Sequence, residues 1–330
     1  MKKNILTLLF ACVVFSVKAQ KGFNDFHEYY PIGEDANLGY KTSVLSSEKL
    51  VFEANPNVRY SFFNNIEKGL MEKPLKRNVF AAYVAFRSQL RMYDSESLPV
   101  IMPSYRVQLG GQMMRRLNDN NFIAISLESG HYSNGQSGSA FSETLVDGSP
   151  ESEALYNKIT PETNLSAILN RRSANFSTNL TELLINYRNN KNSSENLPSR
   201  THSVTGGLLL YHNRFLGIGN FGGFTENDIR IYGRYRWQLR YEYIKQLKNV
   251  RASVAERMEL IQGAHPFVDP FRSETILAIY PFPKTKAFGF FANYTFGHDN
   301  YNYRFVDSGR TLSFGITWTI FPPFQMNVDE

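Results

Sequence analysis

The run Asp228-Ile229-Arg230-Ile231-Tyr232-Gly233-Arg234-Tyr235-Arg236-Trp237-Gln238-Leu239-Arg240-Tyr241-Glu242-Tyr243-Ile244 sorts its residues by parity. Ile229, Ile231, Gly233, Tyr235, Trp237, Leu239, Tyr241 and Tyr243 fall on one side, while Arg230, Arg234, Arg236, Gln238, Arg240 and Glu242 fall on the other. Alternate side chains of a β-strand share a face, so this stretch predicts a strand with one apolar, aromatic face and one face rich in arginine. A soluble sandwich shows the same alternation with its apolar face inward. What separates the two is repetition.

Leu312, Phe314, Ile316, Trp318 and Ile320 alternate with Ser313, Gly315, Thr317 and Thr319, and Phe288, Phe290, Ala292, Tyr294 and Phe296 alternate with Gly289, Asn293, Thr295 and Gly297. The period recurs at Phe80 to Met92 and at Tyr105 to Gln112, with Arg87, Gln89, Arg91, Arg106, Gln108 and Gln112 on the polar side. Alternating segments of about ten residues with aromatic ends are the pattern of an outer-membrane barrel. No run after the N-terminus approaches the roughly 20 apolar residues of a membrane helix, so a closed barrel is the remaining way to span a bilayer. Strands are predicted near 50–62, 78–92, 102–116, 121–134, 176–190, 202–212, 228–245, 250–261, 272–281, 287–298 and 310–321, with one more near Asn37 to Leu45. The fold expected is all-β, a transmembrane antiparallel up-and-down β-barrel of 12 strands over residues 37–322. Glu256 breaks the pattern, sharing parity with Ala252, Val254, Met258 and Leu260. Either a bulge shifts the register there, or the carboxylate faces a partner subunit.

Met1, Lys2 and Lys3 precede an apolar stretch from Ile5 to Val17 and the small-residue site Val17-Lys18-Ala19. This predicts an export signal over residues 1–19, removed before Gln20. Cys12 sits inside the apolar stretch, where removal is favoured over lipidation, and its loss leaves no cysteine for disulfide or thiolate chemistry. Loss of Lys2, Lys3 and Lys18 takes the net charge from +6 to +3, which does not argue for nucleic acid. A periplasmic segment, 20–36, and a tail, 323–330, flank the barrel. The links Leu117 to Asn120, Gln246 to Asn249 and Phe282 to Thr285 are tight and assigned to the periplasm, which makes the long insertion 135–174 extracellular. Glu143, Asp147, Glu151, Glu153 and Glu162 in it are read as a solvated surface loop in preference to a cation site.

From Phe122 to Asn134, the residues Ile123, Ile125, Leu127, Ser129, His131 and Ser133 share the lipid-facing parity. A base and a nucleophile thus follow three aliphatic residues on an outward face near the outer rim, which points to a lipid substrate. On the returning strand, Asn175, Ser177, Asn179, Thr181, Leu183, Ile185 and Tyr187 share one face. Ser133, His131 and Asn175 can form a triad in which Ser133 attacks an ester carbonyl, His131 carries the proton and Asn175 orients the imidazole. Asn175 is placed level with the pair, and Asn179, of the same parity, is the rival third member. Gly135 leaves the chain free to turn amides toward an oxyanion. His27, His202, His212, His265 and His298 have no paired metal-ligand spacing and are read as structural or surface residues.

Gly130-His131-Tyr132-Ser133-Asn134-Gly135-Gln136-Ser137 resembles the His-x-Ser-Asn-Gly-Arg-Ser signature of the outer-membrane phospholipase A family, and Arg172-Ser173-Ala174-Asn175 resembles its Arg-Ser-x-Asn segment. The resemblance extends from about residue 50 to 321, including Tyr294 to Phe305 and the final strand. It implies a twelve-stranded barrel that hydrolyses acyl esters of membrane phospholipids, requires Ca2+ and becomes active as a homodimer. It implies His131 as base, Ser133 as nucleophile and Asn175 as the orienting residue. For calcium it implies the backbone carbonyl of Gln136, a serine supplied by the partner for which Ser97 is the candidate, and a nearby serine. Arg171 stands where that nearby serine falls by counting back from Asn175, leaving Ser139 and Ser142 as substitutes. An insertion of several tens of residues separates the motif from Asn175, and the C-terminus lacks the terminal aromatic. The competing readings are a non-catalytic porin or adhesin barrel and a soluble β-sandwich that would bury the Trp237 and Phe290 faces.

Overall fold

The structure is a computed structural model, and it describes residues 32–44, 50–66, 77–95, 100–118, 120–192, 198–214, 223–247, 250–281, 288–318 and 324–325. The proposed signal segment, Ser97 and most of the tail lie outside the described residues.

Twelve strands follow in chain order: β1 (Ala36–Val44), β2 (Leu50–Asn55 and Asn57–Asn64), β3 (Asn78–Tyr93), β4 (Val100–Arg116), β5 (Asn121–Ser133), β6 (Ser177–Asn192), β7 (Pro198–His212), β8 (Gly233–Leu247), β9 (Val250–Ala264), β10 (Phe271–Tyr280), β11 (Phe288–His298) and β12 (Ser308–Trp318). Pro56 divides β2 because it has no N–H to give the ladder, and both halves pair with β3. Each strand pairs antiparallel with its sequence neighbours, and β1 pairs with β12 from Ala36↔Trp318 to Val44↔Arg310, which closes the cylinder. Closure leaves no open edge between the strands and excludes the sandwich.

Side-chain parity follows the sequence reading. Leu127, Trp237, Phe290 and Phe314 point outward and are roughly half exposed, while Arg59, Glu128, Glu182 and Arg236 point inward and are buried. Inside, Glu128 accepts from Tyr83 Oη at 2.8 Å, Arg87 Nη2 at 2.7 Å and Arg59 Nη2 at 3.2 Å. Glu34 bridges Arg257 at 2.8 Å and Arg87 at 3.6 Å, and Glu53 joins Lys41 at 2.8 Å to Arg91. The interior carries a network of alternating charge around a cavity of about 270 Å³, where paired ions offset one another's loss of water. No helix among the described residues is long and apolar enough to cross a membrane. A closed barrel with an apolar outer band and a polar interior is a transmembrane β-barrel of the outer membrane.

Three expectations change. Asp228 to Tyr232 is not the start of β8 but the end of a helix, Glu226–Tyr232, opened by a reciprocal cap between Thr225 and Asp228. That cap satisfies the first-turn N–H groups, and the spacing of Ile229 and Tyr232 serves a helix as well as a strand. Glu256 lies in unbroken register opposite Thr275 and Tyr241, so no bulge is present. Its carboxylate faces outward and accepts from Ser273 Oγ and from Thr275 Oγ1, the latter at 2.6 Å.

The third change is the insertion 135–174, which is a folded cap rather than a solvated loop. It forms α1 (Pro150–Asn157) and α2 (Leu165–Ile168), and the helix after it in sequence, Glu226–Tyr232, is α3. Phe141, Ile159, Leu165 and Leu169 of the cap are buried in one cluster with Tyr211, Tyr232, Tyr303 and Phe305. The acidic residues of the insertion remain exposed, and Glu151 and Glu153 sit in the first turn of α1, where carboxylates favour the positive end of the helix. Asn302 and Tyr303 have φ of 49° and 58°, a left-handed conformation held in place by this aromatic packing. The cap closes the end of the barrel opposite the tight turns, and β5 rises into it.

Candidate active site

Along β5, Ala124, Ser126, Glu128, Gly130 and Tyr132 are buried inward, while Ile123, Ile125, Ser129, His131 and Ser133 are partly exposed on the outer face and Leu127 is the most exposed of them. Tyr132 anchors the strand's upper end, stacking edge-on against Phe176 with ring centroids 4.6 Å apart. Gly130 has no alternative: a Cβ there would lie 1.9 Å from the backbone oxygen of Val107 on β4. This close approach of β4 fixes the height and direction of His131.

The β5–β6 ladder sets His131 opposite Asn179 and Ser133 opposite Ser177. His131 Nδ1 is 3.0 Å from Asn179 Oδ1, and Asn179 Nδ2 donates to the backbone oxygen of Asn213 at 2.7 Å. The second bond settles the first. An amide whose nitrogen is held by a carbonyl presents its oxygen to the imidazole, so Nδ1 carries the proton and Nε2 carries the lone pair. Nε2 in turn lies 3.4 Å from Ser177 Oγ. Ser133 shares the face, but no hydrogen bond joins it to His131 among the described residues.

Asn175 is not level with this pair. It precedes β6, beyond the last rung of the ladder, where its Nδ2 donates to Asp147 Oδ2 at 2.6 Å and its backbone N–H to Gly138 O at 2.7 Å. The placement of Asn175 opposite His131 is therefore corrected: the hairpin register brings Asn179 there, four residues further along. The signal was present in the sequence as two matched spacings, His131-x-Ser133 and Ser177-x-Asn179, which antiparallel strands bring face to face. Ser177, Asn134 and the carbonyl of Asn213 were missed. Asn134 is fully buried, donates to Ala174 O at 2.7 Å and accepts from the N–H groups of Gln136 and Phe176, both at 3.2 Å. It holds the turn after Ser133 against the start of β6, and Gly135 completes that turn with φ of 64°.

Among the described residues, the expected calcium ligands are not brought together. Ser139 is fully buried, with its hydroxyl accepting from Ser152 Oγ at 2.8 Å and its carbonyl accepting from Asn170 Nδ2 at 2.9 Å. Ser142 pairs with Thr144, and Arg171 is bound to Asp307. Gln136 lies at the partly exposed turn, and no cluster of three or more His, Cys, Asp or Glu side chains able to hold a metal is found among the described residues. The exposed oxygens beside the turn are those of Asp147, whose N–H donates to Ser137 O at 2.8 Å, and of Asn175.

No protein-family model matches this chain, and no curated protein matches it. Among solved structures, the chain is similar to outer membrane phospholipase A from Escherichia coli, at 10% identity over 87% of this chain and 94% of that one, with a TM-score of 0.49. A calcium-bound dimer of outer membrane phospholipase from Salmonella typhi is similar at 11% identity, 87% and 92% coverage and a TM-score of 0.48. The NanC porin is similar at 9% identity, 86% and 98% coverage and a TM-score of 0.43. An enzyme and a porin both stand among these similarities, which do not distinguish one activity from the other.

Proposed function

We propose that the chain is an outer-membrane phospholipase that hydrolyses acyl esters of glycerophospholipids, with Ser133 as nucleophile, His131 as general base and acid, and Asn179 as the residue that orients His131. The observation that carries this reading is the His131–Asn179 bond at 3.0 Å, made on an outward face that a barrel normally gives to apolar side chains. The polar groups are bordered by Val107, Leu109 and Leu127, all exposed, along which acyl chains can lie while the ester stays at rim height. Ser133 attacks the ester carbonyl as His131 Nε2 takes its proton, and the same nitrogen returns the proton to the leaving alcohol. The acyl-serine is then cleaved by water activated the same way. Asn179 keeps Nδ1 protonated and stabilises the imidazolium through its carbonyl, without the cost of placing a carboxylate beside lipid.

Calcium and dimer formation belong to this reading as well. Ser139 does not fit an exposed cation site, and the oxygens that do are the carbonyl of Gln136, the carboxylate of Asp147 and the side-chain carbonyl of Asn175. An ion bound there would supply positive charge near the developing oxyanion. Glu256 stands on β9, four strands from β5, so a second barrel that covers the site does not depend on it. The porin reading is disfavoured by the charge network that crosses the barrel's interior and the apolar cap that closes its end. Fatty-acid release by purified protein in mixed micelles, with Ser133→Ala and His131→Ala as controls, tests the proposal. Both variants should lose at least about a thousandfold in turnover while keeping heat-modifiable mobility, and full turnover by Ser133→Ala would overturn it.

A further inference from the structure

We propose that Ser177 is a second catalytic hydroxyl, which occupies the base in the resting barrel and donates to the oxyanion during turnover; this rests on the phospholipase reading above. Asn213 fixes the Asn179 amide, the amide fixes the His131 tautomer, and the lone pair on Nε2 then has Ser177 Oγ beside it at 3.4 Å. The resting hydroxyl on the base is therefore that of Ser177, donating to Nε2.

The turn that follows the nucleophile is short of donors. Asn134 N–H is spent on Phe176 O at 3.4 Å, and Gln136 N–H on Asn134 Oδ1 at 3.2 Å. Among the described residues, Gly135 is the one amide within two positions of Ser133 on its C-terminal side that is left without a partner, and acyl transfer ordinarily uses at least two donors aimed at the oxyanion. Ser177 faces Ser133 directly across the ladder on the same outer side, where side chains of paired residues stand about 4.5–5.5 Å apart at Cβ. An acyl carbon bonded to Ser133 Oγ brings its oxygen within reach of Ser177.

The exchange is balanced. Ser133 Oγ bonds to the carbonyl carbon, its proton passes to Nε2, and the carbonyl π pair moves onto oxygen. For this the Ser177 O–H first leaves Nε2 for the ester's carbonyl oxygen, which frees the lone pair for the Ser133 proton, and its donation strengthens as the oxyanion forms. Collapse restores the carbonyl, expels the alcohol with the proton from Nε2, and leaves acyl-Ser133 for water.

The test uses the full barrel, a fluorophosphonate probe with mapping of the labelled peptide, and steady-state hydrolysis of a phospholipid. The parent should be labelled at Ser133. Ser177→Ala should retain heat-modifiable mobility, be labelled at Ser133 at least tenfold more slowly, and lose roughly tenfold to a hundredfold in kcat with KM unchanged. Ser177→Thr, which keeps the hydroxyl, should recover part of both. Labelling of Ser177 in the parent, or a parental labelling rate in Ser177→Ala, overturns the role proposed here and leaves the phospholipase reading standing. Full hydrolysis by Ser133→Ala without labelling of either serine overturns both.

Discussion

Asn179→Ala and Asn175→Ala differ in what they disconnect, and comparing them tests the register argument directly. Asn179→Ala removes the acceptor from His131 Nδ1 and the donor from Asn213 O, two contacts of 3.0 Å and 2.7 Å. In the transition state the imidazole is positively charged, and a hydrogen bond to a charged group contributes about 1.5–3 kcal/mol. Each 1.36 kcal/mol is tenfold in rate, so kcat should fall roughly tenfold to a hundredfold, with KM little changed because the contact strengthens only as charge develops. Asn175→Ala breaks a bond to the exposed Asp147, costs about 1 kcal/mol or less in the stability of the cap, and in calcium-saturated buffer should leave kcat within about threefold of the parent. The assay is continuous titration of released fatty acid over a range of phospholipid concentrations, beside a heat-modifiable mobility gel to show that both barrels fold. A larger loss from Asn175→Ala than from Asn179→Ala would refute the reasoning, since it would mean the ladder does not set the triad.

Glu128→Ala leaves Arg59 and Arg87 facing each other without the carboxylate between them, and should cost about 3–5 kcal/mol, read as a lower urea midpoint for unfolding from micelles. Burial alone would raise the pKa of Asp299, but the Arg91 guanidinium, 2.8 Å away, holds it down to about 2, well below the usual aspartate range. Its contribution of roughly 2 kcal/mol is therefore fully present above about pH 4 and is lost as pH falls through about 2; unfolding midpoints between pH 5 and pH 2 should fall by more in the parent than in Asp299→Asn. If the rim oxygens hold calcium, chelation should slow turnover, Asp147→Asn should raise the calcium concentration needed for half-activity about tenfold, and Ser139→Ala should not. A reversed order, with Ser139→Ala alone shifting the calcium requirement, would return the ligand role to the buried serine.

The barrel was legible because a strand's period of two is local, and each segment declared its outer face without reference to the others. Two readings failed where that period met a competing rule. Thr225 and Asp228 form a helix cap, and Ile229 and Tyr232 satisfy a helix as readily as a strand, so parity alone extended β8 five residues too early. The cap escaped detection because its buried residues, Phe141, Ile159, Leu165 and Leu169, are widely spaced between exposed carboxylates, and their burial depends on Tyr211 arriving from β7 and on Tyr303 and Phe305 from the connection between β11 and β12. The placement of Asn175 level with His131 failed for a related reason. Ser133 and His131 lie on one strand, so their spacing fixes their geometry; Asn175 was reached by counting from a motif across an insertion. An insertion of any length leaves an antiparallel ladder unchanged, provided its two ends meet at the same rung. Here they meet at Ser133↔Ser177. The residues that stand opposite one another are then those at equal distance from that rung, which sets Asn179 against His131 and leaves Asn175 beyond the ladder, among the loop oxygens at the rim.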